Sequence, residues 1–274
     1  MINVGSMFDI YGRQARLYPG LLTLFPPLLA AIAWFPALIS SSIVGTLLTL
    51  ASSCGLVYGL AVVSRTQGKK AEKRLLRDWG GWPSTIWLRH ASDYLQPQTL
   101  ARYHAYLTAN VPSLQLPTAE EESKDRHKAD LAYASAVKWL QERCRGKDFP
   151  LVEKENAEYG FRRNLRGMRS IGLTACVLAA ALSVIAPVNG HHDLAAALMS
   201  LSGGQSWQAF TGISPAIIAA TVVAVIAVLG WLVIVRDQWV RDAGDQYARA
   251  LLASCDKLAS ATSKQTKPRT RAKD

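Results

Sequence analysis

The sequence predicts an all-α integral membrane protein: four transmembrane helices in two hairpins, with a helical cytoplasmic domain between them. Three observations predict it. Half of the 274 residues are apolar, yet the formal net charge is +11. Apolar and charged residues occupy separate blocks, since 17–64 and 170–235 are almost free of charge while 65–169 and 236–274 hold nearly all of it. Each apolar block is long enough for two crossings, because a bilayer core about 30 Å thick takes roughly 20 helical residues. A large buried soluble core does not account for residues 213–235, whose polar side chains are Ser214 and Thr221 alone.

Basic residues orient the spans, because Lys and Arg collect on the cytoplasmic side. Of 31 such residues, two precede the first span (Arg13 and Arg16), twenty lie in 65–169 and nine in 236–274. Both termini and the middle block are therefore expected in the cytoplasm. The chain reads as an N-terminal cytoplasmic segment (1–16), a transmembrane hairpin (17–64) and a helical cytoplasmic domain (65–169). A second hairpin (170–235) with outer loop 187–212 and a basic cytoplasmic tail (236–274) follow. Residues 1–17 lack the layout of a cleaved secretory signal, being long and mixed, with Pro26-Pro27 interrupting the apolar run. Cys54 and Cys176 fall in spans, Cys144 and Cys255 in cytoplasmic segments, and no spacing suggests a disulfide framework or zinc.

Span 1 (17–35) carries Pro26-Pro27, which remove backbone donors and predict a kink. Phe35-Pro36 and Ser40-Ser41-Ser42 mark the turn to span 2 (43–63). There Thr46, Thr49 and Ser53 share a face, so they are pore-lining candidates, although such hydroxyls also bond back to their own helix. Gly55-x-x-x-Gly59 on span 2 and Ala216, Ala220 and Ala224 on span 4 make smooth strips suited to close helix association. No proposed span contains Asp, Glu, Lys, Arg or His, which argues against proton-coupled transport. The outer loop pairs His191-His192-Asp193, a weak metal signal, with an interfacial or re-entrant segment 194–201; no metal or cofactor is expected.

The middle block predicts helices. Residues 65–79 continue span 2 until Gly80-Gly81-Trp82-Pro83 break it. Pro97 suits a helix start, with Leu100, Tyr103 and Leu107 on one face. A loop with two prolines (110–117) leads to Thr118 and Glu121, spaced as a capping box. The next helix places Ala129, Tyr133, Val137 and Leu140 in a stripe and ends near Gly146. A last helix begins about Glu153 and runs unbroken into span 3. It carries the densest polar cluster: Asn156, Tyr159, Arg162, Arg163, Asn164 and Arg166, with Arg169 beyond. A belt on anionic lipid, worth about 1 kcal/mol per basic residue, is one reading of it. Binding of phosphates and stacked bases is the other, and Arg89-His90 and Arg102-Tyr103-His104 share the same mixture of cation and ring. No phosphate-binding GxxxxGK[ST], GxSxG or HExxH motif occurs, so no enzyme is expected. Residues 261–274 have the composition of a disordered or lipid-facing end.

Three motifs carry a resemblance. They are Asp9-x-Tyr11-Gly12-Arg13-x-Ala15-Arg16-x-x-Pro19, then Gly81-Trp82-Pro83 with Leu88-Arg89-His90 and Arg102-Tyr103-His104, and then Glu155-Asn156-x-x-Tyr159-Gly160-Phe161-Arg162-Arg163-Asn164-Leu165. In layout and short motifs over residues 8–170 the chain resembles the small membrane effectors paired with a nucleotidyltransferase in bacterial anti-phage defence, the Hailong type. That resemblance implies a homo-oligomeric, tetrameric channel in the bacterial inner membrane. Its domain 65–169 would sense a single-stranded DNA oligomer, or other nucleotide ligand, made by the partner enzyme. Loss of that ligand would open the channel and depolarise the membrane. Alternatively the chain is a non-conducting scaffold that binds anionic lipid or a protein partner through its basic block.

Overall fold

The computed structural model describes residues 10–35, 45–46, 55–185 and 214–266. Among these residues all regular structure is helical. The helices are α1 (Ile10–Gly12), a π-helical turn (Arg13–Leu17), α2 (Tyr18–Trp34), α3 (Leu56–Trp79), α4 (Pro83–Ile86) and α5 (Pro97–Asn110), followed by α6 (Ala119–Lys124), α7 (Arg126–Arg143), α8 (Pro150–Ile185), α9 (Pro215–Val233) and α10 (Asp237–Thr266). Among the described residues three stretches are long and apolar enough to cross a membrane: Arg13–Trp34, Pro150–Ser183 and Pro215–Val233. The chain divides into two compact units, one of residues 1–72 and 160–240, the other of 73–159 and 241–274.

In the first unit, small residues set the packing. Ala30, Ala179, Ala220 and Ala224 are buried together, so α2, α8 and α9 meet where side chains are shortest. On α9 the buried face is Ile217, Ala220, Ala224 and Trp231, and Ala216 is exposed. The expected alanine strip is therefore rotated, with Ile217 replacing Ala216. A Cβ on Gly172 would sit 2.2 Å from the Trp231 ring, so this glycine makes the space the indole fills. The closest approach joins α3 and α8. A Cβ on Gly167 would lie 2.4 Å from the Gln67 carbonyl carbon, and one on Gly68 2.7 Å from the Asn164 side-chain carbon. Tyr18, Leu21, Leu22, Phe25 and Leu28 on α2, and Val222, Ile226 and Leu229 on α9, remain exposed, as a lipid-facing surface requires.

Two expectations for the first hairpin change. Gly55 has φ +84°, so the expected continuous span 43–63 is interrupted there, at a residue whose missing Cβ permits the left-handed region. Helix α3 begins after it, and a Cβ on Gly59 would meet nothing, so the Gly55/Gly59 pair makes no close helix contact among the described residues. The remainder of span 2, the turn near Ser40 and the outer loop 187–212 lie outside the described residues. Helix α2 runs through Pro26-Pro27, with Thr23 Oγ1 donating to the Pro19 carbonyl at 2.7 Å.

The second unit has a conventional core. Leu100, Tyr103 and Leu107 of α5 and Ala129, Tyr133, Val137 and Leu140 of α7 are buried as their spacing predicts. Gly80 and Gly81 adopt φ +75° and +132°, ending α3 where the sequence breaks. The capping box forms: Thr118 Oγ1 accepts from the Glu121 amide at 3.3 Å, and Glu121 accepts from the Thr118 amide at 2.8 Å. Helix α8 starts at Pro150, three residues before the expected start, and runs unbroken for 36 residues. The segment after 236 is a 30-residue helix, and it is part of the core. Ala248, Leu251, Leu252 and Cys255 of α10 are buried with Trp87, Tyr133 and Leu140.

Candidate ligand interface

The arginines that the sequence nominates are each engaged inside the protein. In the first unit, the single stretch Arg162–Arg166 of α8 reaches three other segments. Arg163 Nη1 donates to Glu72 Oε1 at 2.7 Å, with both side chains almost fully buried. Arg163 Nε also donates to Asn164 Oδ1 at 3.1 Å. Asn164, fully buried, donates through Nδ2 to the Ala15 carbonyl at 2.5 Å, within the π-helical turn. Arg162 Nη1 donates to the Trp239 carbonyl at 3.0 Å, and its guanidinium lies 4.9 Å from the centre of the Trp239 ring. Arg166 Nε donates to Asp237 Oδ1 at 2.7 Å.

This is a clasp built from charge-assisted bonds, which are shorter and stronger than neutral ones. Burial pushes the Glu72 carboxyl up, but Arg163 and Lys69 outweigh it and hold the group below the ordinary carboxylate range. Lys69 Nζ donates to the other oxygen of Glu72 at 2.6 Å. The first and third motifs of the sequence thus meet: a Cβ on Gly160 would lie 2.8 Å from Ala15 Cβ and 3.2 Å from the Tyr11 hydroxyl. Glu72, Asp237 and Trp239 were not nominated from sequence. Acids facing a buried arginine from distant helices leave no local pattern.

In the second unit, Asn156 is half-buried and Tyr159 is buried, its ring edge-on to Trp82 at 6.2 Å. Arg89 makes a two-pronged bond to Asp130, with Nε and Nη2 each 2.8 Å from a carboxylate oxygen, and donates Nη2 to the Gly80 carbonyl at 2.7 Å. Arg102 is paired with Asp256 in the same way, at 2.7 and 3.0 Å, and its guanidinium lies 5.5 Å from the centre of the Tyr103 ring. His104 donates Nε2–H to the Leu88 carbonyl at 2.8 Å, stacks on Tyr133 and meets His90 edge-on at 4.9 Å. Burial, with smaller help from His90, pushes the His104 pKa down. His90 donates Nε2–H to the Pro117 carbonyl at 3.0 Å.

Beneath these rings lies Glu122, buried and fully engaged. Its oxygens accept from the amides of His90 and Ala91 at 2.8 and 3.2 Å, and from the Tyr133 hydroxyl at 2.7 Å. Burial pushes this carboxyl up, but the three donors outweigh it and hold the group below its ordinary value.

Two surface hollows adjoin this network. One, of 510 Å³, is lined by Arg89, Ser92, Asp93, Tyr94 and Arg126 among others. The second, of 580 Å³, is lined by His90, Glu122, Ser123, Lys124 and Arg126. Ala91 and Arg126 belong to both. Arg126 is exposed, and its side chain makes no hydrogen bond or ion pair with any described residue. Tyr94, half exposed, stacks on Trp87 with centroids 5.0 Å apart and 12° between planes. Arg126, Lys124 and Tyr94 were not nominated; their signal is their charge and ring character, which surface residues share throughout the chain.

Of the pore-lining candidates, Thr46 is exposed on a helical pair of residues, and Thr49 and Ser53 lie outside the described residues. So does His191-His192-Asp193. Among the described residues no group of three His, Cys, Asp or Glu side chains is placed to hold a metal. Comparison with known family models, curated proteins and solved structures finds no match.

Proposed function

We propose that the chain is the subunit of a homo-tetrameric channel in the bacterial inner membrane, with four spans and both termini cytoplasmic. It is gated from the cytoplasmic side by a nucleic-acid or nucleotide ligand from a partner nucleotidyltransferase, and acts in anti-phage defence by depolarising the membrane. The observation that carries this reading is the chemistry of the apolar helices. Tyr18–Trp34, the stretch 171–185 of α8 and Pro215–Val233 contain no Asp, Glu, Lys, Arg or His. Coupled transport needs ionisable groups at that depth to bind or relay charge, and a passive conduit does not. The clasp supports the reading from the other side. One 36-residue helix carries both the apolar stretch and the Arg162–Arg166 segment, so displacement of the clasp would act directly on a spanning helix.

Planar-bilayer recording of the purified chain tests this. The expected result is a conductance that changes when a short single-stranded DNA oligonucleotide is added to one side. Binding to anionic vesicles with no conductance under any condition would replace this reading with that of a scaffold.

A further inference from the structure

We propose that the two hollows around Arg126 form one binding site for an oligophosphate, the group shared by nucleotides and short oligonucleotides, with successive phosphates held on either side of Arg126. The proposal rests on the ligand-gated reading and places its ligand beside the nominated Arg89-His90 pair, around Arg126, a residue the sequence did not indicate.

Three features converge on Arg126. Its guanidinium presents five donors in a planar fork, and none is used by a described residue. On one side stands Arg89, whose side chain is 12% exposed and locked by Asp130 and Gly80. Its Nε and Nη2 are occupied, and Nη1 makes no hydrogen bond with a described residue. A cation already immobilised by its own carboxylate loses little entropy when an anion arrives. On the other side stands Lys124, exposed and in no ion pair with a described residue. The nominated arginines of the clasp offer no such surface, because their donors already serve Glu72, Asp237 and backbone carbonyls.

The acids nearby decide where phosphates sit. Glu122 lines the Lys124 side and keeps its negative charge, but its oxygens face inward and accept from two amides and a hydroxyl, so they do not compete for the Lys124 and Arg126 donors. Asp93 lines the Arg89 side and is exposed. The stronger phosphate position is therefore between Lys124 and Arg126, and the weaker one between Arg126 and Arg89. Ser92 and the Tyr94 hydroxyl supply neutral donors beside the weaker position. The Tyr94 ring is itself held in place, stacked on Trp87 and with the Arg241 guanidinium 5.9 Å from its centre and bonded to its hydroxyl at 3.3 Å, so it forms a fixed wall of the Arg89 side.

Full-length protein in detergent is titrated with a fluorescein-labelled single-stranded DNA oligonucleotide, with inorganic tripolyphosphate as an unlabelled competitor. Parallel titrations use phosphatidylglycerol vesicles. Arg126→Glu is compared with Arg126→Gln and with Lys147→Glu, which makes the same charge change at an exposed residue of the same unit away from the hollows. The expected result is that Arg126→Glu weakens both oligonucleotide and tripolyphosphate at least about tenfold. Arg126→Gln should lower the salt slope by about one, and Lys147→Glu should stay within about twofold. Equal losses in Arg126→Glu and Lys147→Glu, or no loss in either, overturn the site. Oligonucleotide binding that persists in Arg126→Glu overturns the site and leaves the channel reading intact. Arg126-dependent binding of tripolyphosphate without binding of oligonucleotide keeps the site and overturns a nucleic-acid ligand. Binding to vesicles alone overturns both.

Discussion

Arg163→Met isolates the clasp. The Arg163 and Glu72 side chains are 7% and 6% exposed, so solvent does little to screen either charge. Removing one partner of a buried pair costs about 3–5 kcal/mol, mainly because the other charge is stranded. Lys69 remains on Glu72 at 2.6 Å, and that side chain is half exposed and adjustable, so the loss should fall at the lower end, about 3 kcal/mol. For a unit of this size 1 kcal/mol corresponds to roughly 2–4 °C, so the unfolding midpoint should drop by about 6–12 °C. The assay is thermal unfolding in detergent, followed by tryptophan fluorescence. The companion variant Arg163→Met with Glu72→Leu removes both charges and fills the space with apolar atoms, so it should regain most of the loss. A single variant as stable as the parent would refute the buried-pair reasoning. A double variant no better than the single would refute the claim that the stranded carboxylate is the cost. The same logic fixes the pH response. Glu72 is held below its unfolded value of 4.5, so its contribution is complete above that pH and is lost as pH falls through the lower folded value.

Two further predictions concern packing and titration. Gly167→Ala drives a methyl into the Gln67 backbone at 2.4 Å and should cost about 1–3 kcal/mol, whereas Gly230→Ala, which meets nothing within 4 Å, should not destabilise; comparison of their melting temperatures checks this. His104 is held below its unfolded value of 6.5, so the second unit should keep full stability above pH 6.5 and lose it as pH falls toward 4.5, where carboxylates take over. His104→Gln should flatten that window, and an unchanged slope between pH 6.5 and 4.5 would assign the response to another group.

What was legible in the sequence follows from the range of the interactions involved. The stripe Ala129–Leu140, the capping box at Thr118, the break at Gly80-Gly81 and the unbroken α8 all depend on residues within a few positions of one another, and each appears as read. Helix α10 had the same kind of signal. Ala248, Leu251, Leu252 and Cys255 recur at helical spacing, but the basic residues that dominate the segment's composition describe only its exposed face. Gly55 shows the opposite case, since Gly-x-x-x-Gly is equally a helix-contact motif and a place where φ turns positive, and local sequence does not choose between them.

The cationic cluster was the least legible feature, because the sequence gives charge and withholds pairing. Arg162, Arg163 and Arg166 sit on one helix like a ligand-binding row, yet their partners Glu72, Asp237 and the Trp239 carbonyl come from segments some 70–90 residues away. An arginine to which the fold brings no acid offers a ligand all of its donors, and one already paired, such as Arg89, offers only those its carboxylate leaves. By that criterion the Arg162–Arg166 row marks where the protein holds itself together, and Arg126, which makes no ion pair with a described residue and lines both hollows, marks where donors are left to offer. The distinction matters for how a ligand would act. A phosphate competing for the clasp must displace a carboxylate already bonded at 2.7 Å, whereas one arriving at Arg126 displaces only water. Binding at Arg126 therefore requires no prior rearrangement, and opening the clasp requires a separate force.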